Sequence, residues 1–308
     1  MATNTETVFM QYILFQAIAL CALFTSAQAQ AEKEPLRLKQ TSQWNVDYGD
    51  ERCRLIRKFG EGEQHVYAIF DQFGPGDYFR ITLAGKSVST AVLDGEVSIQ
   101  FGPNEAEQRM GFYKGDLGKD PAMVFQIQGR LAPLTAAELS ANDKAKNREW
   151  TAPAPISVER QAAIRTLTIG KPLRRTVILE TGPMRKPLEA MGTCIDTMIA
   201  SWGVDVERHK KLTRAVEPTV SPGKWVVSND YPEKMLSQLQ SAIVEFRLSI
   251  DTEGNPTQCV IQLTTRQKEF DKAVCDSLMR RAKFLPALDE EGKPLASYYR
   301  NSVQFAIR

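Results

Sequence analysis

The chain has 308 residues, 43% of them hydrophobic, with 39 basic and 37 acidic side chains for a formal net charge of +2. That composition is globular, with room for one or two domains. The near balance of charge gives no reason to expect a nucleic acid or an anionic membrane surface as partner. The first thirty residues stand apart. Residues 12–24 are almost unbroken apolar sequence, and Ala27-Gln28-Ala29 follows as a small-x-small site, the pattern of a secretory signal peptide over 1–29. A run of about 13 apolar residues falls short of the roughly 20 that a spanning helix needs, so no stable transmembrane anchor is expected. Export to the periplasm is the expectation.

Past the signal, 30–43 is polar and reads as a flexible lead-in. A β-rich domain over 44–204 is expected next. Short strand-like runs at 44–48, 53–59, 65–70 and 78–83 are punctuated by Gly49-Asp50, Gly60-Glu61-Gly62 and Phe73-Gly74-Pro75-Gly76, and further runs lie at 97–101, 111–114 and 123–127. Strands this close in sequence favour antiparallel hairpins. Thr135-Ala136-Ala137-Glu138 is a capping box that opens a helix over about 136–149. Residues 156–169 fit strand or helix equally, and 175–180 reads as a strand. A second helix spans 187–202, with Leu188, Met191, Cys194, Ile195 and Met198 on one face and Gly203 after its end. Residues 205–229 are charged, carry Pro218 and Pro222, and read as a linker in which Trp225 to Val227 packs on a neighbour or forms a short edge strand.

The last stretch, 230–308, is the most legible. After Tyr231-Pro232 and a short helix-like run, Val244, Phe246, Leu248 and Ile250 alternate with Glu245, Arg247 and Ser249, a half-buried strand. Gly254 supplies the positive φ of a tight turn. A second strand over 257–263 places Cys259, Ile261 and Leu263 on one face. A helix over 268–283 then carries Phe270, Val274, Cys275, Leu278 and Ala282 as its apolar stripe, and a third strand runs over 298–307. The fold class is α+β: a β-rich N-terminal domain with added helices, then a small α+β domain with a three-stranded antiparallel sheet.

This last segment resembles the C-terminal domain of the TonB family of energy transducers. The resemblance is carried by Tyr231-Pro232, the 246–251 strand with Gly254 in its hairpin, Phe270-Asp271, the Arg281 to Ala287 run, Gly292 to Pro294 and the closing strand with Val303 and Phe305. It implies a periplasmic domain that grips an extended peptide along a sheet edge. The bound segment would belong to an outer-membrane receptor or another envelope protein. The chain departs from the transducers in lacking a stable membrane helix and a long Pro-rich spacer, and in carrying the β-rich domain instead. Membrane-anchored energy transduction is the alternative if residues 1–29 are retained, and a structural or hydrolytic envelope protein is a third reading.

Four cysteines remain after the signal, an even number that in an exported chain suggests two disulfides. Cys259 and Cys275 lie on facing surfaces of strand and helix, so they are expected to pair. That leaves Cys53 with Cys194. No two cysteines sit at zinc-motif spacing and the chain has two histidines, so no metal or cofactor is expected. Gly85-Lys86-Ser87 lacks the earlier glycine of a phosphate loop, having Arg80 there, and no nucleophile motif occurs; the chain is read as no enzyme. The natural open edge is the third strand. Tyr298 and Tyr299 are consecutive, so one ring faces away from the helix. The expected peptide-binding set is Tyr231, Pro232, Tyr298, Tyr299, Arg300, Val303 and Phe305.

Overall fold

The computed structural model describes residues 33–144, 155–265 and 267–307. The expected signal peptide and the last residues of the helix expected over 136–149 lie outside them. Pro35–Arg308 form one compact unit, built on two hydrophobic cores.

The first core is enclosed by eleven strands: β1 Leu36–Lys39, β2 Asn45–Tyr48, β3 Cys53–Phe59, β4 Val66–Gln72, β5 Tyr78–Ala84, β6 Asp94–Phe101, β7 Gln108–Leu117, β8 Asp120–Phe125, β9 Gly129–Arg130, β10 Leu167–Ile169 and β11 Val177–Glu180. Their order is β1-β11-β10-β6-β7-β8-β5-β4-β3-β2, with β9 also on β5. Neighbours are antiparallel except for the parallel pair β1–β11. Gln40 bridges Phe59, which brings the β1 end of the order back to β3 and curls the sheet around its contents. Within 30–43, expected to be a flexible lead-in, Leu36–Lys39 is therefore structured. Leu38 is buried in the first core, and that burial fixes the strand.

The helices of this part are α1 Ala136–Lys144, α2 Val158–Ala163 and α3 Arg185–Ser201. The capping box closes as the sequence predicts: Glu138 N–H donates to Thr135 Oγ1 at 3.3 Å, and Thr135 N–H to Glu138 Oε2 at 2.6 Å. The ambiguous stretch 156–169 resolves into both forms, α2 capped by Ser157 and then β10. Met191, Cys194, Ile195, Met198 and Ile199 form the buried face of α3, which lies on β2 and β3. The Cys53–Cys194 disulfide joins α3 to β3, with Cα atoms 6.0 Å apart.

After α4 Val206–His209, whose Val206 packs on the first core, the second core is built from β12 Glu217–Pro218, α5 Glu233–Ser237, β13 Ala242–Ile250, β14 Pro256–Thr264, α6 Lys268–Arg281, β15 Phe284–Leu285, β16 Ala287–Leu288, β17 Pro294–Leu295 and β18 Ser297–Phe305. Its main sheet is antiparallel in the order β14-β13-β18. The buried Phe270, Val274 and Leu278 of α6 cover Val244, Phe246, Leu248 and Ile250. The Cys259–Cys275 disulfide ties that helix to β14 across 5.6 Å between Cα atoms. At the hairpin tip Gly254 has φ +85°, and a Cβ there would lie 2.0 Å from Phe284 O. The segment 205–229 contributes to this core: β12 pairs with β15, and Val216 and Trp225 are buried.

Two details depart from the periodicity. A register shift between Glu245 and Phe246 pairs Glu245 with Leu263 and Phe246 with Ile261, a bulge that takes Leu263 off the face shared by Cys259 and Ile261. Strand β13 was expected to be half buried, yet Ile243, Glu245 and Arg247 are buried as well. The β-rich part covers the polar face of this sheet.

Candidate functional site

Strand β18 pairs with β13 on one side and ends the sheet on the other. Its unpaired side is bordered by a groove of about 580 Å³. Ser297 to Ser302 form one flank. Pro75, Tyr78, Ile127 and Gln128 of the β-rich part form a second, and His209, Ala215 and Val216 complete the lining. Asn301 and Ser302 are exposed. Ser302 N–H donates to Asn301 Oδ1 at 2.8 Å, so one of the strand's edge donors is met by the neighbouring side chain.

The expected contact residues divide between this groove and the core beneath. Tyr298 turns away from α6 and stacks on His209, centroids 5.0 Å apart, with Trp202 edge-on at 5.1 Å. Burial pushes its phenol up to about 12. Arg300 lines the groove and donates from Nη2 to Pro75 O at 2.9 Å. Tyr299 packs inward against Phe284 and Trp225, while its hydroxyl accepts from Asn301 Nδ2 at 2.9 Å. Tyr231, Phe270 and Phe305 form an aromatic triangle, and Tyr231 OH donates to Gln240 O. Val303 packs on the same core, and half-buried Pro232 caps α5. Among the expected set, the groove brings together Tyr298, Tyr299 and Arg300 alone.

His209, Gln128 and Ile127 were missed because they lie far from β18 in sequence and carry no local motif. His209 Nε2 is 2.7 Å from Ser297 Oγ, and burial lowers the imidazole pKa, favouring the neutral ring.

The groove's width is set by the contact between the two parts, which is polar. Arg80 pairs with Glu245, and Gln128 Nε2 donates to the other Glu245 oxygen at 3.0 Å. Arg247 gives Glu51 a two-pronged bond at 2.7 and 3.0 Å and lies 4.3 Å over the Trp202 ring. Gln262, displaced by the bulge, reaches Glu51 O and Phe73 O at 3.0 and 3.2 Å. The alternating polar side chains that read as a solvent face in β13 are the partners of charges on the β-rich part. Among the described residues no cluster of His, Cys, Asp or Glu could hold a metal ion, and no helix is long and apolar enough to cross a membrane.

A helix across a β14-β13-β18 sheet, with a free outer strand, is the arrangement that the resemblance of the last segment implies. Residues 227–307 match the family model of the Gram-negative bacterial TonB protein C-terminal. No curated protein and no solved structure matches the chain. The match begins at residue 227, near the end of the connector, so the β-rich part and the wall it gives the groove lie outside the TonB-like region.

Proposed function

We propose that this chain is a non-enzymatic periplasmic binding protein whose TonB-like module captures an extended segment of an envelope protein or outer-membrane receptor. The segment would add as a fourth strand beside β18. The observation that carries this reading is the unpaired side of β18 opening onto a groove long enough for several extended residues. An added strand satisfies the edge N–H and C=O groups while its alternate side chains meet the groove walls. The two disulfides and the signal-like residues 1–29 support an oxidising, extracytoplasmic site of action.

Ser302→Pro tests the reading, since proline removes an edge donor and is tolerated on outer strands. Envelope proteins retained by the immobilised mature chain should be lost on the variant, with its melting temperature showing that the fold persists. Retention of the same proteins by the folded variant would overturn strand addition. An N-methylated copy of the captured segment, which cannot donate along the ladder, gives the same answer without altering the protein.

A further inference from the structure

We propose that the groove beside β18 selects an extended peptide bearing one carboxylate side chain, which the Arg300 guanidinium receives. This rests on the strand-addition reading and names the chemistry of what is added.

The groove's charge is one-sided. Arg300 and His209 are its ionisable nitrogen bases, and no Asp or Glu lines it among the described residues. At the contact between the two parts Arg80 has Glu245 and Arg247 has Glu51, and within the β-rich part Arg54 has Asp71. Arg300 has the carbonyl of Pro75 and, among the described residues, no ion pair. Glu245, the acid whose field reaches it, is already held by Arg80 and Gln128. Arg300 is half-buried and desolvation lowers its pKa, as expected of a cation that has lost water without gaining a paired carboxylate. A carboxylate arriving in the groove would supply that compensation with a charge-assisted bond, stronger than a neutral one.

The guanidinium is also held in place. A Cβ on Gly74 would lie 2.4 Å from Arg300 Nε, so the Gly74-Pro75 turn is shaped around this side chain and keeps it against the wall. The position sets a register. Arg300 lies inside the lined stretch Ser297 to Ser302 and on the face turned from α6. Side chains of an added strand alternate between the two faces. The acidic one would therefore point to the β-rich wall near Pro75, and its two neighbours to the Tyr299 and Val216 side.

Selection of random dodecapeptides displayed on phage against the immobilised mature chain tests this, with binders kept only if Ser302→Pro abolishes them. The expected result is one fixed Asp or Glu within an otherwise alternating pattern. Fluorescence anisotropy then compares a selected peptide with its twin carrying Gln or Asn at that position. Wild type should favour the acid about ten- to a hundredfold, as a charged hydrogen bond implies; Arg300→Gln should bind both twins alike, and Arg300→Lys should keep a preference for the acid. Equal binding of the twins to wild type would overturn the carboxylate preference and leave strand addition standing. Failure to obtain any peptide sensitive to Ser302→Pro would overturn both.

Discussion

Arg80 of β5 and Glu245 of β13 form an ion pair whose side chains are only 1% and 2% exposed, and it joins the β-rich part to the TonB-like sheet. Arg80 Nη1 also donates to Phe125 O at 2.5 Å. Removing one partner leaves a buried charge alone, which costs about 3–5 kcal/mol, whereas replacing both by apolar residues of similar volume is often neutral. Arg80→Met and Glu245→Leu should each lower stability by about that range in urea melts, and the double variant should recover most of it.

The disulfides differ in the loops they close, with sequence separations of 141 for Cys53–Cys194 and 16 for Cys259–Cys275. Chain-entropy reasoning gives about 5 kcal/mol for the longer loop and about 3 kcal/mol for the shorter. Paired Cys→Ala variants followed by urea unfolding should show C53A/C194A as the more destabilised. Peptide binding by folded C259A/C275A should be unchanged, because the helix-covered face is not the edge.

Acid should reach the Asp230–Arg281 pair only at low pH. The Arg281 guanidinium, bonded to it at 2.6 and 3.0 Å, holds its pKa down at about 2, helped by Val227 N–H at 2.8 Å. The unfolded value is near 3.8, so this contribution is complete above about pH 4. It is lost as pH falls towards 2. Asp230→Asn should flatten the acid limb of a stability curve in that window and leave the limb above pH 5 alone.

The two histidines should oppose one another near pH 6.5. His65 donates from both nitrogens when protonated, to Gly62 O at 2.6 Å and Asp120 Oδ2 at 3.0 Å, and its pKa is raised. Its contribution is present below the unfolded value of 6.5 and lost as pH rises through the folded one. His209 is lowered by burial, so its contribution is present above 6.5 and lost as pH falls. Melting temperatures from pH 5.5 to 7.5 should fall more steeply on acidification in His65→Gln than in wild type, and less steeply in His209→Gln.

Gly254→Ala should destabilise by about 1–3 kcal/mol from its positive φ alone, with more from the approach of Phe284 O. Thermal unfolding of the variant, compared with Gly292→Ala at φ +74° where nothing lies within 4 Å of the added Cβ, separates backbone strain from the clash.

Much of this fold is legible because local period and local burial agree. Strand β3 was expected over the residues it occupies, and the stripe of α3 is the face that meets β2 and β3. The Cys259–Cys275 pair follows from facing surfaces of strand and helix, and the Cys53–Cys194 pair from elimination. What escaped the sequence depends on neighbours far along the chain. Glu245 and Arg247 carry the pattern of solvent-facing residues, and only Arg80 and Glu51, more than 160 residues away, make their burial tolerable. Leu263 left its expected face through a one-residue bulge that no residue type announces. The edge strand was legible as an edge, yet its groove was not, because half its lining comes from another part of the chain.

Each disulfide closes within one core, and the surface between the cores is held by ion pairs and side-chain hydrogen bonds. Tension on a segment held against β18 would reach the rest of the molecule through that seam and through the connector. No disulfide of the described residues crosses the seam, so its opening would leave each core still cross-linked. Parting of the halves would also take away one flank of the cleft beside β18, so the cleft exists only while the seam is closed.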